Sequence, residues 1–469
     1  MITPRYQVEQ TEESLVFRIH APYTDVNESE INVDENIVCF SASPFYLRLH
    51  LPGPVIEDGK SKGYFDVDSG DYVVTLSKCN KGQHFENLKM TNILIQTPSG
   101  KAIPKIEVLG EPNVSQELLD FDWYIDQEIE EGSLDDSLLL PQYGFAHQKC
   151  GVLRHREADL PELMDLQSPD DTPSSEREKL QETWENKHFS QDHYLADWAE
   201  EEELILPLLA DKKGLVPKSD EFIASEQEQL LRLPKLEILK LTQDEQKSAL
   251  LGLAEIVFCW AHEQITTQGD LSFESARSIR RLSATFSWLR KFTSVQKLTL
   301  SCMRRALCIP LYRNWKLANA AMELTITILK NGRIAVIKCL LDLMKNFANC
   351  EGYHIHTQLY LEPYSLWTQT LSDEVLSKLA DSLAKHNPKK DDIGWDLEEL
   401  ETAGRITLEE ENALDNLTKQ LKTSLNVRCV EEDSDDTDDD SEWETDSEDS
   451  SESSEEEPTE SSMSETKVE

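Results

Sequence analysis

Bases are scarce in this chain: Lys and Arg total 46 against 90 Asp and Glu, a formal charge of −44 over 469 residues. Phosphate contacts are cationic, so this shortage argues against direct nucleic-acid binding by the chain as a whole. It suits solubility, a basic partner, or imitation of a polyanion. No run of about 18 apolar residues occurs, so no helical membrane span is expected. The opening Met1-Ile2-Thr3-Pro4-Arg5-Tyr6 lacks the apolar stretch of a signal peptide. Nine cysteines are scattered without a C-x-x-C, so reduced, buried thiols in an intracellular protein are expected. The G-x-x-x-x-G-K-[ST], G-x-G-x-x-G and G-x-S-x-G patterns are also missing. Neither enzymatic activity nor a cofactor is expected.

What is present is unevenly distributed. From Glu431 to Glu469 there are twenty acids, ten serines and one base, Lys467. Such a stretch cannot bury enough apolar surface to offset its ordering entropy, so disorder is expected. A second polar stretch, Asp165 to Glu178, contains Ser168-Pro169-Asp170-Asp171-Thr172-Pro173 and reads as a linker. The expected division is residues 1–100, an acidic and partly ordered linker over 101–178, a helical domain over 179–427, and an acidic tail over 428–469.

The N-terminal part alternates with period two. Leu15 to His20, Ile37 to Phe40 and Phe45 to Leu51 are short and rich in β-branched and aromatic residues. In the last, Phe45, Leu47, Leu49 and Leu51 share one face, while Tyr46, Arg48 and His50 share the other. Tyr64 to Val67 and Tyr72 to Leu76, joined through Asp68-Ser69-Gly70-Asp71, read as a hairpin, and Asn92 to Ile95 is a further candidate strand. An antiparallel all-β sandwich is expected.

Beyond residue 178 the period becomes 3.6. Thr242-x-x-Glu245 is a capping box, followed by Leu250, Leu253, Ala254, Val257 and Ala261 at helical spacing. Ile279, Leu282, Phe286 and Leu289 form a second stripe, and Ala320, Leu324, Ile328 and Leu329 part of a third. Ile334 to Phe347 and Val375 to Leu383 add two more. Thr407-x-x-Glu410 reads as another capping box, opening a helix towards Leu425. An all-α domain of about ten helices is expected.

These residues carry a resemblance. The N-terminal hundred, through Pro44-Phe45-Tyr46-Leu47-Arg48-Leu49 and Gly82 to Leu88, resemble the CS sandwich of co-chaperones and small heat-shock proteins. Tyr143-Gly144-Phe145, Asp192-His193-Tyr194-Leu195-Ala196-Asp197, Thr266 to Asp270, Arg280 to Leu289 and Pro310 to Trp315 resemble the helical domain of the Shq family. That family comprises assembly chaperones of H/ACA ribonucleoproteins. The resemblance covers roughly residues 1–385. It implies a non-catalytic chaperone that binds a free dyskerin-type pseudouridine synthase, shields its RNA-binding face, and is later removed by an AAA+ ATPase complex. It also implies a nuclear (nucleoplasmic) and cytoplasmic location. A general CS-domain co-chaperone of the large ATP-dependent heat-shock protein and an acidic histone-type chaperone are the alternatives.

The partner-binding candidates are Asp192, His193, Tyr194, Asp197, Arg280, Arg281, Arg304, Arg305, Arg313 and Trp315. The arginines belong to a stretch, Arg277 to Lys316, with ten bases and no acid. Helix surfaces over an apolar core, a dock for an acidic segment of the partner or of the chain's own tail, and RNA contact are its three readings. His354 and His356 form the one close histidine pair, but i, i+2 spacing and the lack of a companion ligand favour packing over metal. Cys302 and Cys308 read as core fillers, and His84 as a partner contact or a loop-fixing residue. In the tail, Thr437, Ser441, Thr445, Ser453 and Ser454 each precede an acid at +3, the pattern of acidophilic-kinase sites.

Overall fold

A computed structural model describes residues 2–95 and 140–424, apart from positions 25, 27–28, 59–60, 68, 155, 157, 211–212, 219 and 236–240. The rest of the expected linker, the acidic tail and all five candidate phosphorylation sites lie outside the described residues.

Period-two alternation produces eight strands: β1 Arg5–Gln10, β2 Ser14–His20, β3 Glu30–Asp34, β4 Ile37–Ala42, β5 Phe45–His50, β6 Val55–Ile56, β7 Lys62–Asp66 and β8 Asp71–Lys78. One antiparallel sheet runs β1-β2-β8, with β6 and β7 both pairing to β8; the other runs β3-β4-β5. Phe17 lies opposite Val74 and Phe40 opposite Leu47. Between the sheets Phe40 and Tyr72 pack with ring centroids 5.0 Å apart. The β7–β8 hairpin forms as its sequence expects, Phe65 facing Tyr72. His50 departs from the alternation: it is buried, and burial lowers its imidazole pKa.

Thr91–Ile95 is a helical turn, α1, and not a strand. Its donors need no sheet neighbour, because Leu94 N donates to Met90 O at 3.3 Å and Asn92 N donates to Gln369 Oε1 at 2.9 Å.

The helical elements follow in order: α2 Leu160–Leu163, α3 Ser174–His188, α4 Gln191–Ala199, α5 Leu206–Ala210, α6 Ala224–Arg232, α7 Gln243–Thr266, α8 Phe273–Leu282 and α9 Ala284–Ser287. Then come α10 Val295–Cys308, α11 Trp315–Lys330, α12 Arg333–Phe347, α13 His354–His356, α14 Glu362–Thr370, α15 Asp373–Lys385, α16 Lys390–Ile393 and α17 Leu397–Ser424. Helix α7 is the axis of the domain. Its expected capping box is present, Glu245 N donating to Thr242 Oγ1 at 3.3 Å and Thr242 N to Glu245 Oε2 at 2.8 Å. From Ala249 onward it is buried almost all round, so its apolar stripe widens to a full circumference. Gly252 is needed there, since the Tyr364 hydroxyl occupies the space a Cβ would take.

Two expectations are corrected. Residues 140–178 are part of the helical domain, which therefore begins near residue 140 and not at 179. Tyr143 and Arg177 are fully buried; Arg177 donates to the carbonyls of Gln142, Pro169, Thr172 and Leu289 at 3.0–3.1 Å. Asp165 and Leu166 both donate from their backbone N to Ser287 O. The stretch looks like a linker by composition because its polar side chains serve as tertiary partners. Thr407 opens no helix either: it lies inside α17, where its Oγ1 donates to Ala403 O at 3.1 Å.

The sandwich docks directly on the helices. Helix α6 runs along edge strand β1, Gln227 Nε2 donating to Tyr6 O and Arg5 pairing with Glu228 at 3.2 Å. A covered edge cannot recruit another strand. Met90 joins Leu230, Ile337 and Leu341 in an apolar cluster, and Arg333 donates to Asn87 Oδ1 at 2.7 Å.

Candidate partner-binding surface

The basic stretch folds mostly inward. On α8, Arg280 pairs with Asp165 at 3.0 Å. On α10, Arg305 is fully buried, lying 3.4 Å from Asp165 and 3.6 Å from Glu185, and it donates to Leu282 O and Ser287 Oγ. Arg304 meets the other oxygen of Glu185 at 2.8 Å, donates to Ile393 O and Asn186 Oδ1, and lies 4.3 Å from the Trp395 ring centroid. Arg290 and Lys297 share Glu178 at 3.0 and 2.8 Å, and Lys316 pairs with Glu201. Burial alone would raise the Glu178 carboxyl, but the two cations hold it below its ordinary value. Six of the ten bases are thus paired with acids of the same chain, four of them buried and Lys297 and Lys316 half-exposed. Among the described residues Arg277 and Arg281 form no salt bridge and are exposed.

A groove of about 440 Å³ opens beside those two arginines, between the end of α7, α8 and the 309–312 loop. The loop is pinned from α4. Ser190 caps that helix by accepting from His193 N, which aims the His193 ring so that Nε2 donates to Leu311 O at 2.9 Å. Asp197, one turn on, accepts from Arg313 N at 2.6 Å. Asn314 then caps α11, accepting from Lys316 N and Leu317 N. The result holds Leu311 at the surface, 74% exposed, with Tyr312 half-buried beside it.

The floor of the groove is unusual. His262 is fully buried and neither ring nitrogen has a hydrogen-bond partner among the described residues. Burial pushes its pKa down to about 4, so it is neutral at pH 7. Burial pushes neighbouring Glu263 up to about 7. The groove therefore has an apolar lip, a buried neutral imidazole beneath it, and the charges of Arg277, Arg281, Glu263 and Glu274 around it.

The sequence-derived candidates divide accordingly. Tyr194 is buried, its hydroxyl donating to Glu401 at 2.6 Å, and burial raises its pKa. Asp197, Arg280, Arg304 and Arg305 are also buried and engaged in contacts within the chain. Asp192 is exposed; His193, Arg313 and Trp315 are partly so. His193, Arg281 and Arg313 converge on the loop and groove. Sequence reading missed His262, Glu263 and Leu311; Leu311 carries a signal, being an apolar residue between a proline and a capped helix start. His356 is buried and donates to Leu163 O at 2.9 Å, whereas His354 is exposed. Cys302 and Cys308 are buried among apolar side chains. His84 is near Gln10, 3.4 Å between ring Nε2 and the amide nitrogen. Among the described residues no group of His, Cys, Asp or Glu is placed to hold a metal.

Comparison with known proteins agrees with this architecture. Residues 3–95 match the SHQ1-like CS domain and residues 213–397 match the Shq1 domain of the SHQ1 protein. A protein SHQ1 homolog of Xenopus tropicalis is 35% identical over 459 residues, covering 93% of this chain and 75% of the relative. A Mus musculus homolog is 34% identical over 88% of this chain and 77% of its own length. Protein shq1 of Schizosaccharomyces pombe is 31% identical over 87% and 97%. Sandwich, helical domain and order in the chain all coincide: this chain belongs to the SHQ1 family.

Proposed function

We propose that the chain is an assembly chaperone that works by binding and not by catalysis. It holds a free dyskerin-type pseudouridine synthase, covers the synthase's RNA-binding face, and serves the biogenesis of H/ACA small nucleolar ribonucleoproteins. Its place is the nucleoplasm and cytoplasm, and an AAA+ ATPase complex removes it. One observation carries this reading beyond family membership: six of the ten bases between Arg277 and Lys316 are consumed by internal pairs. That pairing leaves the stretch with fewer free cations for phosphates than its sequence offers, which supports the reading. The acid excess is left to meet a basic partner, and a face built to bind phosphates is basic.

The test is competition. Guide RNA and the full chain should exclude one another on the synthase, with association slowing as salt rises. Leu311→Ala should weaken the synthase complex about tenfold without altering thermal stability, as loss of a central apolar contact does. A stable ternary complex with guide RNA in its normal site overturns the reading. Loss of binding only with sandwich variants would favour the general co-chaperone.

A further inference from the structure

A second recess, of about 740 Å³, lies between α2, the 165–171 loop and α3. Leu160, Met164 and Trp184 form apolar wall, and Asp165, Asp170, Asp171 and the exposed Arg154 supply its charged groups. The carboxylates differ in a telling way. Asp165 has both oxygens occupied, by Arg280 and Arg305. Asp170 is only 7% exposed, and its Oδ1 accepts from Tyr143 Oη at 2.7 Å and Gly151 N at 2.9 Å. Its Oδ2 is buried with no hydrogen-bond partner among the described residues. Nearby Arg177 spends its donors on four backbone carbonyls. A buried carboxylate oxygen left unmatched is costly, and among the described residues no donor reaches it.

We infer that this recess receives one cationic side chain, an arginine, from the partner protein. The missing element at Asp170 Oδ2 is a donor, and with Asp165 already paired the carboxylates of Asp170 and Asp171 make a charged donor the best match. Asp171, exposed at the mouth, supplies a second acceptor. A guanidinium is flat, carries several donors, and also stacks on indole, so Trp184 gives arginine an advantage over lysine. Arg280 and Arg281, adjacent on α8, mark the relation of the two recesses: the first pairs with Asp165 in the wall of this one, and the second lines the groove described above. The identity of the partner rests on the proposed function; the chemistry of the recess does not.

The experiment uses the purified full chain in about 0.15 M salt, where exposed charges are screened beyond about 8 Å. The indole N–H resonance of Trp184, identified by its loss in Trp184→Phe, is followed while acetyl-Gly-Arg-Gly-amide is added. The expected result is a saturable shift in the millimolar range, at least tenfold weaker with citrulline in place of arginine, since citrulline has nearly the shape but no charge. Asp171→Asn should weaken it severalfold and Asp170→Asn should abolish it. Equal shifts from arginine and citrulline, no shift at all, or an unchanged titration in Asp171→Asn, which has no buried role to upset folding, would each overturn the inference. Synthase binding is measured in parallel. If the peptide binds as expected but the synthase does not, the proposed function fails while the recess stands; the reverse sinks the recess alone.

Discussion

In the β-sandwich, Lys78 lies below the surface and is held by uncharged groups: its Nζ donates to Gln10 Oε1, Thr11 O and Gln83 O at 2.7–3.1 Å. In the helical domain, Arg280, Arg304 and Arg305 are held by the carboxylates of Asp165 and Glu185. The sandwich is therefore specified by apolar alternation, with polar groups added at its margin. The helical domain is specified in addition by a buried set of ion pairs that joins α3, α8, α10 and the 165–171 loop. Two physical consequences separate the halves. A core made by shape tolerates substitutions that preserve volume, whereas a buried charge tolerates none that remove its partner.

The sharpest way to break this contrast is Arg305→Met. It leaves Asp165 to Arg280 alone and Glu185 to Arg304 alone, and takes the donor from Leu282 O, with an expected loss approaching ~3 kcal/mol in urea unfolding followed by circular dichroism. Arg305→Lys should recover only part, because a point charge cannot reproduce the guanidinium geometry. A cost under ~1 kcal/mol would show that the network is incidental.

In the sandwich, Leu47→Ala should cost ~2–5 kcal/mol and Leu47→Met under ~1.5, measured the same way. A Met variant as damaging as the Ala variant would contradict the shape-only description of that core.

The two domains should also differ in their response to acid. Burial holds His262 and His356 of the helical domain down to about 4. In the unfolded chain each takes up a proton near pH 6.5, so the unfolded state binds more protons as pH falls. Their contribution is complete above about 6.5 and is lost as pH falls towards 4, roughly 3 kcal/mol per histidine at that limit. Glu263 works in the opposite sense: raised to about 7, it favours the fold below the ordinary carboxyl pKa and loses that effect as pH rises through about 7. His262→Leu should flatten the acid limb of a stability–pH curve by about one proton; an unaltered limb would mean that His262 is protonated in the fold.

The smallest effect belongs to the docking of sandwich on helices. Arg5 and Glu228 are 44% and 38% exposed. Glu228→Ala should cost ~0.2–1 kcal/mol, less as salt rises. The apolar cluster around Met90 carries that contact instead, so Met90→Ala is the more damaging of the two.

The fold class was legible in the amino-acid order because it depends on local periods. Strands β2, β4 and β8 are written as alternation, and α7 announces itself through Thr242 and Glu245. The capping-box reading of Thr407 failed for the same reason it was attractive: the pattern is local, and a helix already begun at Leu397 overrides it. Asn92 to Ile95 failed because a short apolar run fits strand and helix alike until its neighbours are known.

What the sequence by itself determined is thus the two-part architecture, the acid excess and the family. Which charges stay at the surface was decided by tertiary structure alone. Arg280 and Arg305 find Asp165 across 115 and 140 residues, and Arg304 finds Glu185 across 119. Pairing over such distances depends on which helices pack together, and no local period encodes it. Adjacent Arg280 and Arg281 illustrate the consequence: identical in chemistry and neighbours in the chain, they differ by about 100° around the α8 axis, so one is buried and the other lines an open groove.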